Sequence, residues 1–182
     1  MSQTLKGLRA AVLVGKEFED LELYYPYYRL QEEGVEVELV APEKKPYYGK
    51  HGVEAVPDKS IEEVRPEDYQ IIVIPGGWAP DRLRRDPRIV EFVREAALRG
   101  AIIASICHGP QLLISAKLLH GRKITCVSAI RDDVVNAGAI YLDQPLVVDG
   151  NFVSSRGPRD LPYFGKGIID AAKRLIVEKA RP

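Results

Sequence analysis

The segment Ile71 to Ile74 (I-I-V-I) is an unbroken aliphatic run of strand length, closed at once by Pro75-Gly76-Gly77. A strand without polar alternation meets no water on either face, and such strands belong to parallel sheets covered by helices on both sides. Leu8 to Gly15 and Ala101 to Ile106 read the same way, while Val35 to Ala41 alternates apolar residues with glutamates as a half-exposed strand would. Helical patterns fall between them. Leu21 to Glu33 places Leu23, Tyr27 and Leu30 at helical spacing and stops at Gly34. Pro87 to Arg99 opens on proline and ends before Gly100, the chain from His108 or Gly109 to Ala116 turns helical, and Leu161 to Lys179 forms a closing amphipathic helix. Pro46 to Pro57 reads as a small hairpin, and Leu146 to Ser154 as a second one turning at Asp149-Gly150. Strands alternating with helices at this spacing predict an α/β sandwich with a mostly parallel central sheet. The 182 residues fit one domain, taken as 1–182.

The 26 basic and 26 acidic residues cancel, and no segment concentrates one sign. Nucleic acid and membrane are therefore not expected as partners. The start M-S-Q-T-L-K-G-L-R lacks the apolar core of a secretory signal, so cytoplasmic residence is expected. Cys107 and Cys126, the two cysteines, are expected as free thiols in a reducing compartment. With His51, His108 and His120 they show no metal-ligand spacing, and neither metal nor cofactor is expected. His51 and His120 read as structural or exposed.

In an open parallel sheet, ligands bind beyond the carboxyl ends of the strands. Three loops leave strands there with suitable chemistry: Gly15 to Asp20, Pro75 to Pro80, and Ile106 to Pro110. In the third, a strand runs directly into Cys107-His108-Gly109 and then a helix. A thiol at a helix N-terminus is expected to have its pKa drawn down toward neutrality; a buried, inert cysteine fits the position equally well. The acidic group Glu17, Glu19, Asp20 and Glu22 would stand at the same edge, where a protonated carboxyl could donate to the sulfur. The first turn of a solvated helix would also be acidic. Gly76 and Gly77 could bring backbone N–H groups to a reacting oxygen, although turns use glycine everywhere. Because adjacent side chains normally diverge, His108 is not expected to serve as a simple base for Cys107. Tyr24, Tyr25, Tyr27 and Tyr28 crowd the first helix and read as core and subunit interface.

At these residues the chain resembles the ThiJ/PfpI family, in its PfpI-like (intracellular protease or protein deglycase) branch. The matching segments are Glu17 to Tyr27 (E-F-E-D-L-E-L-Y-Y-P-Y), Gly49 to Gly52 (G-K-H-G) and Ile74 to Arg84 (I-P-G-G-W-A-P-D-R-L-R). They continue with Ala104 to Ile114 (A-S-I-C-H-G-P-Q-L-L-I), Arg131 to Ala139 and Val147 to Leu161. The resemblance implies a flavodoxin-like three-layer sandwich, related to class I glutamine amidotransferase domains, with a nucleophile elbow at Cys107. It implies that Glu22 hydrogen-bonds the nucleophile and that Glu19 lines the other side of the pocket. It further implies that Gly76, Gly77 and the amide of His108 supply backbone donors. In the PfpI-like branch His108 is paired with an acid from a neighbouring subunit, and Asp81 stands at the matching position. A homo-oligomer, dimer or hexamer, with shared active sites is thus implied. Val127 occupies a position where some members carry tyrosine.

Three functions follow from the resemblance. The first is a cofactor-free cysteine enzyme acting on small reactive dicarbonyls or glycated adducts, a glyoxalase III-like or deglycase role in stress response. The second is an intracellular cysteine peptidase acting on peptides, which needs a working His108–Asp81 pair. The third is a redox sensor or holding chaperone built on an oxidisable Cys107.

Overall fold

The computed structural model describes residues 4–182. Its strands are β1 (Arg9–Leu13), β2 (Glu36–Ala41), β3 (Tyr47–Tyr48), β4 (Glu54–Ala55), β5 (Lys59–Ser60) and β6 (Ile71–Ile74). They continue with β7 (Ile102–Ile106), β8 (Lys123–Ile124), β9 (Ile140–Tyr141), β10 (Val147–Asp149) and β11 (Phe152–Ser155). The α-helices are α1 (Asp20–Glu32), α2 (Ala79–Leu83), α3 (Pro87–Leu98), α4 (Pro110–Ser115), α5 (Arg131–Asn136) and α6 (Leu161–Lys179). Seven strands form one sheet in the order β10-β11-β7-β6-β1-β2-β5, with only the β10–β11 hairpin antiparallel. Helices α1 and α6 pack together on one side, and α3 packs with α4, which also meets α2. This is the mostly parallel, helix-covered sandwich expected from the alternation of elements, and the flavodoxin-like fold that the resemblance implies.

The sequence explains the placement of the strands. All residues of β6 and β7 are buried, so their aliphatic runs occupy the middle of the sheet. β2 shows an exposed start and a buried end, consistent with its glutamates, and lies nearer the edge. Helix α3 starts with Pro87 after Asp86, whose side chain accepts from the Arg88 N–H. The segment from 46 to 57 contains the β3–β4 hairpin, and Gly150 turns the β10–β11 hairpin at φ 57°. The short helix α2, the edge strand β5 and the β8–β9 pair were not anticipated. They are two to five residues long, too brief to carry a periodic pattern. No helix among the described residues is long and apolar enough to cross a membrane.

The order of the sheet has a direct functional effect. Because β6 lies between β1 and β7, the loops after these three strands are neighbours at one edge.

Ile103 in β7 is fully buried and pairs with Ile72 on one side and Phe152 on the other. Ile103→Ala should lower the free energy of urea unfolding by about 2–5 kcal/mol, from lost transfer energy and the residual cavity. Leu98→Ala, at an exposed position on α3, should change it by less than about 0.5 kcal/mol.

Candidate active site

β7 ends at Ile106, and the next residue reverses the chain. Cys107 has φ 60°, in the left-handed region that residues with a Cβ rarely adopt. Such a conformation costs on the order of 1–3 kcal/mol and persists only where its surroundings fix it. Here they do so on both sides: the Cys107 N–H donates to the Ser155 carbonyl at 3.1 Å, and the Cys107 carbonyl accepts from the Val127 N–H at 3.1 Å. The turn sets the thiol at the rim, half-buried, just before α4. It also overturns the expectation that the adjacent side chains diverge. Cys107 Sγ lies 3.4 Å from His108 Nδ1, because the left-handed backbone swings the two side chains to the same side.

The loop after β6 forms the second wall. Gly76 can carry no side chain, since a Cβ there would stand 2.5 Å from Glu22 Oε1 and 2.8 Å from the Cys107 Cβ. Gly77 has φ 75°, and a Cβ on it would strike the backbone of Glu17 and Glu19 at 2.5 Å. This loop is clasped to the one after β1. Gly77 bridges Phe18, the Trp78 N–H donates to the Glu17 carbonyl at 2.9 Å, and the Glu19 N–H donates to the Gly76 carbonyl at 3.1 Å. Arg82 and Glu17 close the clasp with an ion pair.

Glu22, on the first turn of α1, is fully buried. Its Oε1 accepts from the Gly76 N–H at 2.9 Å, while Oε2 has no hydrogen-bond partner. Burial, reinforced by the charge of Glu19, raises its pKa to about 8 against the pull of the Gly76 N–H. Glu22 therefore keeps its proton at neutral pH and can offer it toward Cys107. This arrangement corrects one expected role. The Gly76 N–H is committed to Glu22, so it orients the carboxyl and is not a free donor for a substrate oxygen. The N–H groups of His108 and Gly77 face the sulfur.

The expected fall of the thiol pKa does not occur. Burial pushes Cys107 up to about 12, with negative charge on Glu22 adding to the rise and the His108 and Gly77 N–H groups opposing it. While Glu22 is protonated its contribution disappears, but the resting group is still a thiol. His108 is held below its ordinary pKa by burial and by the charge of Lys50. It is therefore neutral near pH 7, with Nδ1 placed to accept the thiol proton.

Glu19 lies deeper than a pocket-lining acid would. It is 5% exposed and caps α1, its Oε2 accepting from the Glu22 N–H at 2.9 Å. His51 is exposed, yet its Nε2 comes within 3.8 Å of Glu19 Oε1. Both Asp20 oxygens accept backbone N–H groups, from His51 and Val53, each at 3.0 Å. Glu19, Asp20 and His51 are close enough to share a cation, but the Asp20 oxygens and one Glu19 oxygen already serve the backbone. Asp81 is not brought to His108 in this chain; its carboxylate pairs with Arg85 at 2.7 Å, one turn along the same segment. The ring beside His108 belongs instead to Trp78, with centroids 6.0 Å apart. Trp78 and Lys50 were not singled out from the sequence, although both lie in the motifs quoted for the resemblance. A separate groove of about 940 Å³ lies at the amino ends of the strands, among residues that include Gln70, Ala101, Asn151 and Arg174. It contains neither thiol nor imidazole.

Comparison with known proteins identifies the family. A family model described as the DJ-1/PfpI family matches residues 8–171. The chain is 49% identical over 166 residues to the deglycase PfpI of Pyrococcus furiosus, covering 91% of this chain and 100% of that protein. It is 45% identical over 161 residues to protein/nucleic acid deglycase 2 of Escherichia coli, covering 87% of this chain and 94% of that one. Among solved structures, a two-domain protein from Anabaena variabilis with dj-1/thij/pfpi-like and ferritin-like domains superposes with a TM-score of 0.89 at 41% identity. That match covers 92% of this chain and 48% of the other, so this chain spans about half of the two-domain protein. With a family model spanning most of its length and relatives this similar, the chain belongs to the DJ-1/PfpI family.

Proposed function

We propose that this protein is a thiol-dependent enzyme acting on reactive 1,2-dicarbonyls and their adducts, of the deglycase or glyoxalase type. The observation that carries the reading is the pairing of a strained, half-buried Cys107 with a fully buried Glu22 that keeps its proton at neutral pH. Similarity to the two deglycases supports it.

For methylglyoxal, Cys107 Sγ forms a bond to the aldehyde carbon while its proton passes to His108 Nδ1. The carbonyl oxygen takes a proton from Glu22 and becomes the hydroxyl of a hemithioacetal. The ionised Glu22 then removes the hydrogen from that carbon while the protonated His108 gives its proton to the neighbouring carbonyl oxygen, forming an enediol. Glu22 returns its proton to the neighbouring carbon as the first hydroxyl gives its own back to His108. This isomerisation is redox-neutral and leaves a thioester of lactate. Water cleaves the thioester, releasing lactate and restoring the thiol. A buried carboxyl with a pKa near neutrality suits a group that must both give and take a proton. The thiol, carboxyl and imidazole supply the nucleophile and every proton, so the route requires neither metal nor redox cofactor.

The peptidase reading requires His108 to protonate a leaving amine, oriented by a carboxylate. In this chain His108 is held neutral, and Asp81 is occupied by Arg85. Only an Asp81 from another copy of the chain could complete that triad, so the peptidase reading depends on an oligomer whereas carbonyl addition does not.

Lactate formation from methylglyoxal should fall by more than about 10³-fold in Cys107→Ser; retention of full activity would remove Cys107 from the mechanism. Asp81→Asn should leave dicarbonyl turnover within about twofold of the parent, and a collapse there would favour the triad instead. Glu22 also makes stability depend on pH. Unfolded, it ionises near 4.5; folded, it holds its proton up to about 8. Its favourable contribution is thus complete below 4.5 and is lost as pH rises through 8. The melting temperature of Glu22→Gln relative to the parent should rise steadily between pH 5 and pH 8, and a flat difference would contradict a protonated Glu22.

A further inference from the structure

Lys50 has no role in the chemistry above, yet the fold holds its segment at the rim of the site. Its N–H donates to the Phe18 carbonyl at 2.9 Å, and Phe18 bridges Gly77, the residue whose N–H faces the sulfur. One residue before Phe18 and two before Lys50, the Glu17 N–H donates to the Tyr48 carbonyl at 2.9 Å. One residue later, His51 is tied through its N–H to Asp20 and through its ring to Glu19. Residues 48–51, 17–20 and 76–78 therefore lie side by side, and Lys50 is in the outermost of the three.

The Lys50 side chain is exposed and makes no ion pair among the described residues. This contrasts with its surroundings: Glu17 is matched by Arg82, and Glu19 is approached by His51. The Lys50 charge nevertheless acts on Glu22, Cys107 and His108. An unpaired ammonium on a segment laced to the site's rim, with its charge felt by the thiol, the acid and the base, is available to a charge arriving with the substrate. A single ammonium beside buried acids suits a monoanion, since a dianion would need more donors and would meet the repulsion of Glu19.

We propose that Lys50 is a specificity-determining residue that makes the Cys107 pocket prefer carbonyl substrates bearing a carboxylate close to the reacting carbon over neutral ones. The inference deepens the proposed dicarbonyl chemistry and, as regards substrates, rests on it. Its charge discrimination can be measured without turnover.

The test is the ratio of alkylation rates at Cys107 with iodoacetate and iodoacetamide, read by mass spectrometry of the Cys107 peptide in the intact protein. The two reagents differ in charge but attack the same sulfur, so any change in thiol ionisation cancels in the ratio. Relative to a small free thiol, the parent should favour iodoacetate by about three- to tenfold at low salt, and the preference should shrink as salt is raised. Lys50→Gln should lose the preference and Lys50→Arg should keep it. A second arm compares kcat/KM for the methylglyoxal hemithioacetals of N-acetylcysteine and of its neutral amide, where the same ordering is expected. If the alkylation ratio is the same in the parent and Lys50→Gln, the proposal is overturned whatever turnover shows. If the ratio falls but neither adduct is consumed, charge selection by Lys50 stands and the dicarbonyl function fails.

Discussion

The hydrogen bond from the Gly76 N–H to Glu22 Oε1 is the contact on which the site depends. It joins the loop after β6 to the first turn of α1, two segments more than fifty residues apart in the chain. It fixes one carboxyl oxygen and leaves the other to carry the proton. A buried carboxylate with a single N–H donor is poorly compensated, and the group responds by staying neutral. Its environment thus determines its chemistry. The same contact explains why position 76 admits no Cβ: the space belongs to the acid and the thiol. Pro26 adds a related effect. Lacking an N–H, it cannot donate to the Glu22 carbonyl one turn earlier, so α1 has one helical bond fewer at the residue bearing the site acid.

Much of this was legible in the sequence because the relevant signals are local. The aliphatic runs of β6 and β7, followed directly by Pro-Gly-Gly and by Cys-His-Gly-Pro, already place two loops at the carboxyl edge of a parallel sheet. The acidic start of α1 announces carboxyls at that edge as well. What the sequence could not convey was how these groups divide the work. Nothing in E-F-E-D-L-E tells the cap from the buried acid. The resemblance assigned Glu22 to the sulfur, but that Glu19 caps the helix and Asp20 ties down the 49–53 turn follows only from where the backbone N–H groups point.

The thiol pKa was misjudged for a related reason. A helix N-terminus favours negative charge, and Cys107 stands near one, so a fall was expected. Burial works in the opposite direction and is the larger effect here. The contact between Cys107 and His108 was missed because the rule that neighbouring side chains diverge assumes an ordinary φ, which Cys107 lacks. The resting centre is therefore nearly uncharged: a thiol, a carboxylic acid and a neutral imidazole.

The bond from the Cys107 N–H to the Ser155 carbonyl has a consequence for how the protein is made. β7 lies between β6 and β11, yet β11 follows Cys107 by some forty-five residues. On a chain growing from its amino end, the first two-thirds can assemble β1, β2, β6 and β7 while one edge of β7 remains open. The elbow at Cys107 then lacks one of the two partners that hold its strained backbone until β11 has left the ribosome and docked. The Cys107 turn is thereby one of the last parts of the molecule to mature, and a nascent chain carries its cysteine without the geometry of the finished rim.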